Sequence, residues 1–163
     1  MSDTASKLIA MGRRGGTLGK PVARAAAVDP QNVWLPLFTI TGYVLVTSLI
    51  GIRTIIQAGG AGNMQFRHSV GPTVLCGAAA ITGNTVGTIY TITGNVADAL
   101  QIGLGGIPIP GGLAGGLLAT GINMHGYIMG PGTIDVTMTA VAGTGSTRYF
   151  VHYVPYEGSI VST

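Results

Sequence analysis

Ionic side chains are scarce in this sequence of 163 residues: Asp, Glu, Lys and Arg together make up 8% of it, where soluble domains carry about 25%. A chain so poor in charge cannot keep a whole monomer surface hydrated in the usual way. Either it lies in a membrane, or much of its surface faces other subunits. Cysteine is nearly absent too. Cys76 stands alone, which rules out an internal disulfide and a secreted disulfide scaffold. It lies in the apolar run Val74-Leu75-Cys76-Gly77-Ala78 and reads as a small buried hydrophobe.

Long uninterrupted apolar runs are missing as well. A spanning helix needs about 20 consecutive apolar residues. The stretches from Leu35 to Ile56 and from Leu100 to Met124 are broken by Thr, Gly and Pro, so a membrane helix is not expected, and regular ten-residue hairpins of a membrane barrel are not visible. The start, Met1-Ser2-Asp3-Thr4-Ala5-Ser6-Lys7, is polar and does not read as a secretory signal.

The groups an active site needs are equally few. His68, His125 and His152 are the only histidines; no two have metal-ligand spacing, and each reads as a strand-surface or loop residue. Asp98, Asp135 and Glu157 are isolated from one another, and Asp135 is expected on the solvent face of its strand. Gly15-Gly16-Thr17-Leu18-Gly19-Lys20-Pro21 comes near a phosphate loop. Arg14 stands at its first glycine position, however, and Pro21 replaces the hydroxyl that would hold magnesium. Gly103-Leu104-Gly105-Gly106-Ile107-Pro108 lacks the third glycine of a dinucleotide fingerprint, and no Gly-x-Ser-x-Gly elbow occurs. A non-enzymatic chain is expected, with no cofactor, metal or small-molecule substrate.

What is present is unevenly placed. Lys7, Arg13, Arg14, Lys20 and Arg24 are five of the eight basic residues and fall in the first 32 positions, against Asp3 and Asp29; the remaining 131 residues balance to zero. Residues 1–32 therefore read as a basic, extended N-terminal arm, with Val22 to Val28 as a short helix and Asp29-Pro30 as a turn. The arm fits a tether for an acidic neighbouring surface or a loosely packed terminus. A nucleic-acid contact would be thin, because no aromatic is interleaved with the charges.

Residues 33–163 read as an all-β body. Ile134, Val136, Met138 and Ala140 alternate with Thr133, Asp135, Thr137 and Thr139, the period of a half-buried strand. Thr147 to Val154 alternates likewise, with Tyr149, Val151 and Tyr153 on one side and Arg148, Phe150 and His152 on the other. The two are expected to pair as a hairpin over Gly143-Thr144-Gly145-Ser146. Further strands fit Leu37 to Thr41, Val44 to Ile50, Arg53 to Gln57, Met64 to His68, Thr73 to Cys76 and Val86 to Thr93. Gly42 and Gly51 read as bends or bulges, and Val96 to Leu100 reads as one helical turn. So many short strands imply an antiparallel β-sandwich or jelly-roll-like body.

The segment from Gly103 to Gly121 is apolar, rich in glycine and long for a loop. Leu104, Ile107, Ile109, Leu113 and Leu117 are its candidate subunit-contact residues. A loop folded back over the domain's own core fits as well, and transient membrane contact is a third reading.

Thr41-Gly42-Tyr43-Val44-Leu45-Val46-Thr47-Ser48-Leu49-Ile50-Gly51, Gly87-Thr88-Ile89-Tyr90-Thr91-Ile92-Thr93-Gly94, Pro131-Gly132-Thr133-Ile134-Asp135-Val136 and the stretch from Arg148 to Ser159 resemble parts of small tailed-bacteriophage virion proteins. The likeness is one of strand and turn phrases across residues 33–163, not of a catalytic signature. Within that class, small β-rich chains with extended arms resemble capsid decoration (cement) proteins. The resemblance implies a homo-oligomer, expected to be a trimer, clamped over joints between subunits of the major capsid protein. It would be made in the host cytoplasm and placed on the capsid surface of the virion. A tail, tail-tip or head-fibre protein is the alternative. A carbohydrate-binding module has less support, since Trp34 and six tyrosines are all it could stack on.

Overall fold

The computed structural model describes residues 19–56, 62–71, 73–93, 96–103, 126–139 and 145–163. All its regular elements are strands: β1 (Lys20–Val28), β2 (Leu35–Thr41), β3 (Val44–Ile55), β4 (Asn63–His68), β5 (Thr73–Val74), β6 (Ala79–Ala80), β7 (Ile89–Thr91), β8 (Gln101–Gly103), β9 (Tyr127–Met129), β10 (Gly132–Thr139), β11 (Ser146–Pro155) and β12 (Ser159–Ser162). They form two antiparallel sheets. The first runs β1-β11-β3-β7-β8, with β9 also on β3; the second runs β12-β2-β10-β4-β5, with β6 also on β4.

The connectivity follows from which strands alternate between the sheets. β1, β3 and β11 lie in the first sheet, β2, β4 and β10 in the second. β1 pairs with β11, β2 with β10, β3 with β7 and β4 with β5. Such nesting of early strands on late ones is a double ribbon rolled over on itself, which is a jelly roll. At one flank the Arg24 guanidinium on β1 donates from Nε to the carbonyl of Thr163 at 2.9 Å, joining the sheet edges. At the other, Gly77 and Ala99 bridge, with Gly77 N–H donating to Asp98 O at 2.7 Å.

The core sits between the sheets, and the period of two explains who reaches it. Phe38, Ile40, Met64, Phe66, Ile134, Val136 and Met138 enter from the second sheet; Val44, Val46, Leu49, Tyr149 and Val151 enter from the first. Phe66 meets Tyr149 edge to face, with ring centroids 6.2 Å apart, the arrangement that ring quadrupoles favour.

Several expectations are corrected. Val22 to Val28 is not a helix: it belongs to β1, whose partner β11 supplies the ladder bonds, so sheet pairing overrides the helix propensity of its alanines. The body therefore begins by residue 20, not 33, and residues 1–18 lie outside the described residues. β10 and β11 are not a hairpin but lie in different sheets, because each has a better partner across the roll. Gly51 does not break a strand. It lies inside the 12-residue β3, opposite Tyr149, and a Cβ there would come within 3.3 Å of that ring; glycine is the residue that leaves room. Gly42 does turn the chain, at φ +76°, between β2 and β3. Val96 to Leu100 forms a turn that ends in the Ala99 bridge, not a helical turn.

Candidate functional site

The two sheets present unlike outer faces. Residues directly opposite one another on paired strands share a face, so the register defines each surface row by row. On the first sheet, Ala23, Phe150, Ile50 and Thr91 make one row. Arg148, Ile52 and Ile89 make the next, and Val154, Leu45 and Ile128 another. Val28 and Ile55 extend the face at one end, both paired with Ser146. Leu45, Ile50, Ile52, Ile89, Phe150 and Val154 are half-buried, and Ile128 is 68% exposed.

Arg148 is the one formal charge in these rows, and no carboxylate stands among them. Its guanidinium carbon lies 5.0 Å from the centroid of the Phe150 ring. In the row Pro21, His152 and Ser48, the Ser48 hydroxyl and His152 Nδ1 share a hydrogen bond of 2.8 Å. Among the described residues no third side chain is bonded to that pair.

The outer face of the second sheet is polar. Thr39, Thr41, Thr133, Thr139, Gln65, Asn63 and Ser159 point outward in register with one another, together with Thr137, which is only 7% exposed, and the exposed Val161 opposite Thr39. The hydroxyls bond in pairs, Thr41 with Ser159 at 2.9 Å and Thr39 with Thr163 at 3.0 Å. Asp135 is on this outward series but is only 2% exposed, which corrects the expectation that it meets solvent. Arg67 covers it: Nε donates to Asp135 Oδ2 at 3.0 Å, and the guanidinium lies 4.2 Å from the Trp34 ring centroid. Thr133 donates to the other carboxylate oxygen at 2.6 Å.

A third cluster is sealed inside. Arg53, fully buried on β3, forms an ion pair with Asp29, also buried, just after β1. Arg53 Nε donates to Tyr90 OH at 3.1 Å, and Asn84 Nδ2 donates to the same oxygen at 3.2 Å. Thr147 donates to Asp29 Oδ1 at 3.1 Å. The Tyr149 hydroxyl is buried nearby without a hydrogen-bond partner among the described residues, and burial pushes its pKa well above the ordinary tyrosine value. The cluster's members are at most 6% exposed. It fixes the chain where it leaves the first sheet after β1 and where β11 begins.

Of the sequence-derived site residues, Lys20 is exposed on β1 and Arg24 is half-buried there, held by Thr163. The two therefore belong to the sheet. Lys7, Arg13 and Arg14, the loop residues Leu104, Ile107, Ile109, Leu113 and Leu117, and His125 all lie outside the described residues. His68 lies on the second sheet and His152 on the first. Among the described residues no three of His, Cys, Asp and Glu come together as a metal site, and no helix is long and apolar enough to cross a membrane. Cys76 is buried, as its apolar surroundings suggest, and burial raises its pKa.

Sequence reasoning missed the apolar outer face. The signal was in β3, where Val44, Val46 and Leu49 and the alternate set Leu45, Ile50 and Ile52 are all apolar. A strand that reads as a continuous apolar run is one covered on both sides. Comparison of the chain with protein-family models, with curated proteins and with solved structures gave no match.

Proposed function

We propose that this chain is a structural protein of a virus particle, one that decorates and stabilises a bacteriophage capsid by oligomerising and clamping neighbouring subunits of the major capsid protein. The observation that carries this reading is the outer face of the first sheet: an apolar surface with one formal charge, on a chain that has few charges anywhere. A protein with such a face is at home only when neighbours cover it. Jelly rolls recur in viral capsid proteins but also in lectins and cupins, so the fold lends analogy and the surface carries the argument.

Lys20 is exposed on β1, and the basic residues Lys7, Arg13 and Arg14, which lie outside the described residues, are the further groups that would meet an acidic capsid surface. Weak contacts of this kind gain strength when several are tethered in one oligomer. A carbohydrate-binding role has less support, since Arg67 already occupies one face of the Trp34 ring. The test is the copy number of the chain in purified particles, by gel densitometry. Hundreds of copies per particle are expected of a decoration protein. A handful would move the assignment to a tail, tail-tip or head-fibre component, and absence from particles would end the virion reading.

A further inference from the structure

We infer that the outer face of the first sheet is the surface through which two copies of this chain join, and that the hydroxyl-lined face of the second sheet stays outside that contact. The inference deepens the structural reading above and rests on it only for the need to oligomerise.

Three observations select a second copy as the occupant. The first is charge. The face holds Leu45, Ile50, Ile52, Ile89, Phe150 and Ile128 with no carboxylate, so a basic partner surface finds no matching charge on it and an acidic one finds a single arginine. Arg148 is the lone cation, and it lies over Phe150. The second is area. β1, β11 and β3, of 9, 10 and 12 residues, run about 30 Å or more at ~3.3 Å per residue, while β7, β8 and β9 have three residues each and run about 10 Å; at ~4.8 Å per strand the sheet covers roughly 600 Å². With side-chain relief its accessible area approaches the ~800 Å² per partner of a standard interface. The third is self-complementarity. Apolar sheet faces pack on one another at about 10 Å, as the two inner faces do in this sandwich, and the described residues offer one other broad sheet face, which is lined with threonine.

Hydroxyl groups on that second face keep their bonds with one another and with water, so covering it gains little. Every copy carries the apolar face, and each copy that binds there removes it from water on both sides of the contact. The same logic makes the contact sensitive to one charge at its middle. Ile50 lies on β3, the central strand of the sheet order, between Phe150 and Thr91.

The full chain is tested by sedimentation velocity and light scattering across a concentration series. Wild type is expected at a multiple of its 16.5 kDa mass. Ile50→Glu should weaken self-association at least ~10-fold, because a carboxylate at the middle of an apolar contact loses its water even with Arg148 diagonally opposite. Ile128→Glu, at a position exposed enough to leave folding intact, should weaken it ~10-fold, and Val161→Glu on the second sheet should leave it unchanged. Near-UV circular dichroism verifies that each variant folds. A wild-type monomer at 100 μM overturns the inference, whether another partner or residues 104–125 of the same chain cover the face. So does Val161→Glu acting as strongly as Ile128→Glu. A monomer that still binds capsids would leave the decoration reading standing, while an oligomer never found on particles would do the reverse.

Discussion

Replacing Arg53 by methionine removes the cation from the sealed cluster while keeping most of the stem's volume. Asp29 would then be left buried without its cation, with Thr147 as its one side-chain donor among those described. Arg53 also gives up its bond to Tyr90. Breaking a buried pair by deleting one partner costs about 3–5 kcal/mol, because the other charge is left uncompensated. A domain of this kind has roughly 5–15 kcal/mol in all, so the variant loses a large share of it. With a urea slope of ~2 kcal/mol/M, the unfolding midpoint should fall by about 1.5–2.5 M. Asp29→Asn should cost a similar amount. The double variant, which buries no net charge, should cost about 2–3 kcal/mol less than the two single costs added together. Urea unfolding followed by tryptophan fluorescence, at one fixed protein concentration, reads all four corners of the cycle. A loss below about 1 kcal/mol for Arg53→Met, or single costs that simply add, would refute the view that this pair pins the chain between β1 and β11.

Three further outcomes follow from the same interior. Gly51→Val should destabilise by about 1–3 kcal/mol through overpacking against Tyr149 and Thr147, and a neutral effect in the same urea assay would contradict the packing described. Tyr127, whose hydroxyl donates to Leu75 O at 3.0 Å, has its pKa raised from 10.0 to about 12, first by burial and then by Cys76 and Asp98. A pKa raised in the folded state leaves stability intact below pH 10, where both states keep the proton. Stability then falls between about pH 10 and 12, as the unfolded chain ionises first. Unfolding measured at half-unit steps should show that fall, and Tyr127→Phe should make it shallower. The Cys76 thiol, buried and with its pKa raised by that burial, should react with a disulfide reagent no faster than the protein opens; immediate labelling in native buffer would mean the site is accessible.

How far the sequence could be read depended on distance along the chain. Alternation along a single strand was legible: Ile134, Val136 and Met138 inward, and Tyr149, Val151 and Tyr153 inward, as period two requires. Which strands pair was not. β10 and β11 look like a hairpin because a short turn-rich stretch joins them, yet a jelly roll sends neighbours in sequence to opposite sheets, and the local signal is the same in both cases. Lys20 to Val28 looked like an arm because its basic residues and alanines carry no strand pattern; its order comes from β11. Asp29 and Arg53 were visible as two charges in a chain short of them, but their meeting depends on the roll. The outer apolar face lay in plain view along β3 and was legible in principle, since both alternating sets of that strand are hydrophobic.

The nesting of early strands on late ones sets a timetable for synthesis. The Ser146 hydroxyl bonds the Ala27 carbonyl across 119 positions of sequence, and a ribosome adding roughly 5–20 residues per second takes on the order of ten seconds to cover that span. During that interval the opening strand of a nascent polypeptide has no mate of its own. Neighbouring nascent polypeptides on one message offer the same unmated edge, so crowded translation is a condition that favours mispairing of this strand.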